Sequence, residues 1–236
     1  MNSSIELPII GKMHSPFREK FGIPRQPNLV EVETYIEFIP PYHNMQAFDG
    51  IEAFSHLWLL WHFHQNKENK DQSFRTQVRP PRLGGNDKIG VFATRSMYRP
   101  APIGLSVVTF QRLEHDGKSV RLYVTGSDLV DGTPIIDIKP YIKYSDSIPH
   151  ATSAYADQPP ISKQVFWSTA ALEQREQIET LHPNAVDFKT LEQVLALDPT
   201  PAYHHDETRV YGMHFAAFNV KFTVNVTQIM IISLEL

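Results

Sequence analysis

Between residues 36 and 138 the apolar positions fall in short runs rather than at helical spacing. Ile36–Ile39, Leu57–Phe63, Ile89–Thr94, Leu105–Leu113, Val120–Val124 and Ile135–Ile138 are rich in β-branched and aromatic residues and are bounded by Gly, Pro, Asn or Asp, which predicts strands. Asp116-Gly117 lies between the fourth and fifth of them, a strong signal for a two-stranded hairpin. Prolines reinforce this reading, because motifs such as Pro24-Arg25-Gln26-Pro27, Pro80-Pro81 and Pro100-Ala101-Pro102 interrupt helices and stiffen loops. About six strands without intervening helices predict an antiparallel barrel or sandwich.

The periodicity changes after the Ala, Tyr and Pro-rich stretch 151–160. Ser168–Leu181 and Ala185–Leu197 carry apolar residues at helical spacing, with Ser168 as a cap and His182-Pro183 and Asp198-Pro199 as stops. Alternation returns in Val220–Thr227, and the apolar run Ile229–Ile232 follows, giving one or two more strands. The expected organisation is mainly β with an α+β appendage. Residues 1–160 form the β domain, and residues 161–236 form a small C-terminal domain with two helices and a short sheet. No repeat or low-complexity tract breaks this plan.

Length and composition narrow the functional classes. A chain of 236 residues with 42% apolar residues can bury a sizeable core. It has no cysteine, which excludes disulfides, a thiolate nucleophile, iron–sulfur clusters and cysteine-ligated zinc. Neither a signal peptide nor a membrane-length apolar stretch is visible, so a soluble cytoplasmic protein is expected. The net charge of −4 argues against a wholly basic nucleic-acid binder, yet the charge is segregated. Residues 73–100 hold Arg75, Arg79, Arg82, Lys88, Arg95 and Arg99 against the single acid Asp87, whereas residues 168–207 are strongly acidic. The arginines either solvate long loops or form one anion-binding face.

Individual motifs refine that choice. Arg79–Asn86 is a stiff turn into a glycine pair, suited to close backbone approach by a ligand. Phe92–Gly104 carries Arg95, Tyr98 and Arg99, whose planar groups suit phosphate, carboxylate or a stacked base. Asp128–Tyr141 places two acids before a turn and Asp137 within a strand, where it must face solvent or pair, for instance with Lys139. His62, His64 and Glu68 match part of a cupin metal site, with strand alternation placing both imidazoles on one face. No dinucleotide-binding glycine fingerprint, phosphate-binding P-loop or nucleophile elbow occurs.

The strings Ile10–Phe17, Pro24–Pro27, Phe54–Trp58, Arg79–Asn86, Gly90–Gly104 and Asp128–Tyr141 closely resemble the TrmO family, also called YaeB or TsaA-like. These are tRNA (N6-threonylcarbamoyladenosine-37) methyltransferases. The likeness is dense over residues 5–145, and the later Asp198–Tyr203 is similar to the bacterial C-terminal part. It implies a single-sheeted β-barrel that binds S-adenosyl-L-methionine without a Rossmann domain, a homodimer, and threonine tRNA, recognised at its anticodon loop, as the partner. With it, His64 reads as a hydrogen-bonding wall of the cofactor pocket rather than a metal ligand, and neither a metal nor a membrane is expected as a partner.

By the same resemblance, cofactor contacts fall on Arg25, Gln26, Pro27, Asn28, His64, Gln65, Arg95, Leu105, Asp131, Gly132, Thr133 and Pro134. The family commonly has glycine where this chain has Asn28, a residue that tolerates the left-handed region better than most. An N6 that carries a carbamoyl group is a poor nucleophile, so positioning and a base are both expected to matter. Asp137, Asp131 and Tyr141 are the candidate bases. Arg75, Arg79, Arg82 and Arg99 are candidates for tRNA phosphates or the threonyl carboxylate. A module that binds RNA or the cofactor without turnover is the alternative.

Overall fold

Alternating side chains in the predicted strands become the inside and outside of a closed barrel in the computed structural model. The structure describes residues 4–66, 74–84, 86–183, 186–201 and 206–235. Barrel strands are β1 (Gly11–His14), β2 (Glu33–Phe38), β3 (His56–His62), β6 (Ile103–His115), β7 (Val120–Thr125) and β8 (Pro134–Pro140). Two short strands, β4 (Gln77–Val78) and β5 (Ile89–Gly90), pair outside it. The barrel closes antiparallel in the order β1-β2-β7-β6-β3-β8. Inward positions such as Leu57, Leu59, Val108, Leu122 and Ile135 are fully buried, so the barrel interior is a packed core rather than a channel. Gly11 is required where β1 meets β2, because a Cβ there would lie 2.7 Å from the Glu37 carbonyl oxygen.

The expected hairpin is present: β6 and β7 pair through Asp116-Gly117, with Gly117 at φ 87° and Asp116 accepting from the Lys118 and Ser119 amides. One predicted strand is corrected. Ile89–Thr94 is a strand only over Ile89–Gly90, then turns at Val91–Ala93, where the Thr94 hydroxyl bonds the Val91 carbonyl and ends the extended run. The short β1 carries too few apolar positions to stand out by pattern.

After α1 (Lys143–Asp146), the C-terminal unit comprises β9 (Gln164–Trp167), α2 (Thr169–Leu181), α3 (Phe188–Ala196), β10 (Tyr211–Phe215), β11 (Phe218–Val224) and β12 (Gln228–Glu235). Its sheet has the order β10-β11-β12-β9, with β9 parallel to β12. Ser168 caps α2 as expected, its side chain accepting from the Ala171 amide. The second helix starts at Phe188 instead of Ala185, because Asp187 caps it by accepting from the Lys189 and Thr190 amides. Ala185 itself lies outside the described residues.

Two hydrophobic cores result. The barrel core draws on its own strands together with Phe48 and Leu129. The second core joins α3 and the C-terminal sheet to Phe17, Val30 and Val32 from the segment between β1 and β2. No helix among the described residues is long and apolar enough to cross a membrane.

Candidate active site

The loops that follow β3 and precede β6 open one end of the barrel into a cleft of about 1760 Å³. That exceeds the roughly 300–1,000 Å³ of a typical small-molecule pocket, so it can seat a nucleoside-sized ligand and a second group beside it. Its walls come from the segment 20–29, the turn 63–66, the arginine-rich loops 75–82 and 92–101, and the stretch 128–133. Leu197, Asp198 and Thr200 of the C-terminal unit complete it.

Side-chain hydrogen bonds brace these walls. Arg95 Nη1 donates to Gln26 Oε1 at 2.6 Å, joining two segments 69 residues apart. Lys20 Nζ reaches the Gln65 carbonyl at 2.6 Å, and Asn66 Nδ2 reaches the Met97 carbonyl at 2.9 Å. Arg99 Nη1 holds the Thr94 carbonyl at 3.0 Å. The segment 24–31 is also tied to the C-terminal unit, where Gln193 Oε1 accepts from the Glu31 amide at 2.9 Å and Thr190 Oγ1 donates to the Glu31 carbonyl at 3.1 Å.

Below these loops lies a buried polar chain. Trp61 Nε1 is 3.0 Å from Ser106 Oγ, which is 2.6 Å from Asp128 Oδ1. Burial pushes the Asp128 carboxyl up to about 6 from its usual 3.8, against the lowering effects of Ser106, its own amide and the charge of Arg95. Burial also lowers the pKa of His64, favouring a neutral imidazole at neutral pH. At the rim, Phe92 and Phe74 are 71% and 53% exposed, with ring centroids 5.8 Å apart. The Arg75 guanidinium lies 4.5 Å from the Tyr98 ring centroid. Inside the cleft, Leu105 leaves an apolar side chain 51% exposed.

Of the expected cofactor residues, the cleft brings together Arg25, Gln26, His64, Gln65, Arg95, Leu105 and Thr133. Pro27, Asn28, Asp131, Gly132 and Pro134 are not among its lining residues. Asn28 is nevertheless in the left-handed region at φ 62°, and its Nδ2 holds the Val107 carbonyl at 3.0 Å next to Ser106. Asp131 accepts from the Ser15 amide and forms an ion pair with Arg18 at 2.5 Å. The turn through Gly132, at φ 77°, is held to β1 by its amide on the Met13 carbonyl. All four arginines expected to meet RNA, Arg75, Arg79, Arg82 and Arg99, line the cleft.

The three candidate bases sit elsewhere. Asp137 pairs with Lys139 Nζ at 2.8 Å, as its strand position suggested, and the Tyr141 ring lies tilted beside those of Trp58 and His56; neither lines the cleft. Asp131 is occupied by Arg18. The metal reading loses its geometric basis, because β3 ends at His62 and the His64 amide folds back onto the His62 carbonyl at 2.8 Å, ending the alternation. Glu68 lies outside the described residues, and among those described no group of three metal-binding side chains is placed to hold an ion. Asp128 and Ser106 were missed. The one signal for Asp128 is its position just ahead of the buried Leu129 and Val130, since its partners are 22 and more residues away in the chain.

The profile described as "tRNA-methyltransferase O N-terminal domain" matches residues 12–147, and that described as "TrmO C-terminal domain" matches residues 160–236. The chain is 42% identical over 237 residues to the Escherichia coli tRNA (adenine(37)-N6)-methyltransferase, covering 99% of each. It is 45% identical over 207 residues to a Pseudomonas aeruginosa protein named as an S-adenosylmethionine-dependent methyltransferase, covering 86% of each. A crystal structure of TrmO from Pseudomonas aeruginosa superposes with a TM-score of 0.78 at 34% identity, covering 98% of both chains.

Proposed function

The chain belongs to the tRNA-methyltransferase O family, and from that premise we propose that it methylates N6 of adenine 37 in tRNA with S-adenosylmethionine as the donor. The observation that carries this reading is that Gln26, His64, Arg95, Leu105 and the partly buried Asp128 line one cleft together with Arg75, Arg79, Arg82 and Arg99. The residues fit the cofactor: the exposed Leu105 face suits a purine, while Gln26, Arg95, neutral His64 and Thr133 supply polar contacts at fixed positions. When bound, S-adenosylmethionine supplies a methyl group on a positively charged sulfur, which makes that carbon electrophilic.

The protein's own part is to orient the nucleophile. The substrate base carries the threonylcarbamoyl group, whose carbonyl delocalises the N6 lone pair, so alignment contributes much of the rate. Arg75, Arg79, Arg82 and Arg99 receive its threonyl carboxylate and the phosphates of the anticodon loop in threonine tRNA. Phe74, Phe92 and Tyr98 at the rim offer ring faces for unstacked loop bases, as in single-strand RNA recognition. The protein works as a cytoplasmic homodimer, a reading that rests on family membership and is tested by light scattering in solution.

The deciding experiment is nucleoside mass spectrometry of threonine tRNA from cells with and without the gene. Loss of the N6-methylated threonylcarbamoyladenosine mass on deletion, restored by wild type and not by Arg95→Ala, is expected. Cofactor binding without methyl transfer in the purified system overturns the reading in favour of a binding module.

A further inference from the structure

We propose that Asp128 is the catalytic residue that accepts the N6 proton during methyl transfer, with Ser106 as its positioning residue. This rests on the methyltransferase reading above. The argument starts from hydrogen-bond direction. An indole Nε1 can only donate, so Ser106 Oγ accepts from Trp61 and its own proton is committed to Asp128 Oδ1. The ionised Asp128 therefore receives a hydrogen bond at Oδ1, which orients the carboxylate as an acceptor. Among the described residues no cation lies within ion-pair distance of it, unlike Asp131 with Arg18 or Asp137 with Lys139. It is a partly buried carboxylate of the cleft wall that no cation within ion-pair distance has claimed.

The chemistry balances with this group alone. The N6 lone pair forms the bond to the methyl carbon as the methyl carbon–sulfur bond breaks, and that bond's electron pair stays on sulfur as a neutral thioether. The N6 proton passes to Asp128 and from there to water in the open cleft. A base near pKa 6 suits this task, because it is largely ionised at neutral pH and still basic enough to take a proton. The groups around Asp128 are Ser106 on β6, Trp61 on β3 and Arg95 in the loop before β6, whose positive charge holds the pKa down. The same cleft is lined by His64, whose pKa burial lowers from its usual value, and by His62.

The test uses the full chain with tRNA that carries unmethylated threonylcarbamoyladenosine. Asp128→Asn is expected to lower kcat by about 10²–10⁴-fold, with the S-adenosylmethionine dissociation constant by calorimetry changed less than about threefold. Wild-type kcat/KM is expected to rise with pH through about 6 and then level. Ser106→Ala is expected to move that rise to higher pH, because the carboxylate loses a hydrogen bond, whereas His64→Gln leaves its position in place. A scaffold role for Asp128 would not move the profile. If Asp128→Asn weakens cofactor binding while kcat at saturation is retained, the carboxylate serves as the cofactor's counter-charge and the proposal is overturned. It is overturned equally if Ser106→Ala leaves the acidic limb unmoved. If wild type itself transfers no methyl group, it is the parent reading that fails.

Discussion

The barrel fills its core from its own strands and the loops that join them, whereas the C-terminal unit completes its core with Phe17, Val30 and Val32 from the segment between β1 and β2. That borrowed segment also carries Arg25 and Gln26 into the cleft. A sheet and two helices at the far end of the chain thus hold in place a loop from its beginning. The acidic unit acts on the site through packing and hydrogen bonds to this loop, and its Asp198 in the cleft wall is paired with Lys163 Nζ at 2.9 Å.

Removing a large side chain from the second core tests this contrast most severely. Phe222 is fully buried and stacks against Phe21, immediately ahead of the cofactor loop. Phe222→Ala is expected to cost about 3–5 kcal/mol in denaturant unfolding and to weaken S-adenosylmethionine binding as well. Unchanged affinity in the folded fraction would break the proposed link between the C-terminal core and the site.

Asp128 predicts a smaller effect of opposite sign. Its folded-state pKa of about 6 lies above the usual 3.8, so the folded chain binds the proton more tightly than the unfolded one. The penalty for keeping the carboxylate buried is complete above about pH 6 and disappears as pH falls towards 4. Asp128→Asn is therefore expected to raise stability at pH 8 by on the order of 2–3 kcal/mol and to have little effect at pH 4. Equal melting-temperature shifts at both pH values would contradict the buried, ionised carboxylate.

Asp187 sharpens the comparison at the scale of one cap. Its Oδ1 accepts from the Lys189 and Thr190 amides, and its Oδ2 shares the single Thr190 hydroxyl proton with the Glu31 carbonyl, the two acceptors lying 2.5 and 3.1 Å from Thr190 Oγ1. Asp187→Ala is expected to cost about 1 kcal/mol, with faster hydrogen exchange in α3 and around Glu31 together. The smallest effect belongs to the outer barrel wall, where Arg112 pairs with Glu33 and Glu114 in partly exposed geometry. Glu114→Gln there is expected to leave both the melting temperature and methyl transfer essentially unaltered, because solvent screens so exposed a pair.

Much of the fold was legible because its signals are local. Alternation over a few residues marks β2, β3, β6, β7 and β8, the Asp116-Gly117 turn marks the hairpin, and Ser168 marks the start of α2. Ile89–Thr94 misled because a run of β-branched and aromatic residues has the composition of a strand, while a hydroxyl-to-carbonyl bond at Thr94 curls it into a turn. Seven of the twelve cofactor positions implied by resemblance meet in the cleft, whereas the candidate bases Asp137 and Tyr141 do not. Strand pairing turns Asp137 outward beside Lys139, Tyr141 lies just past the end of that strand, and no pattern within one strand reports which way a barrel closes.

By itself the sequence determined which segments extend and which coil, where the arginines concentrate, and which family the chain resembles, since each of these depends on neighbours within a few residues. The tertiary structure alone decided that Trp61, Ser106 and Asp128, spread over 67 positions of chain, form one buried relay. It also decided that residues 17–32 belong to two units at once. Both follow from strand register and core packing, which bring distant positions together and remove them from water, and a carboxylate acquires its unusual basicity only once that water is gone.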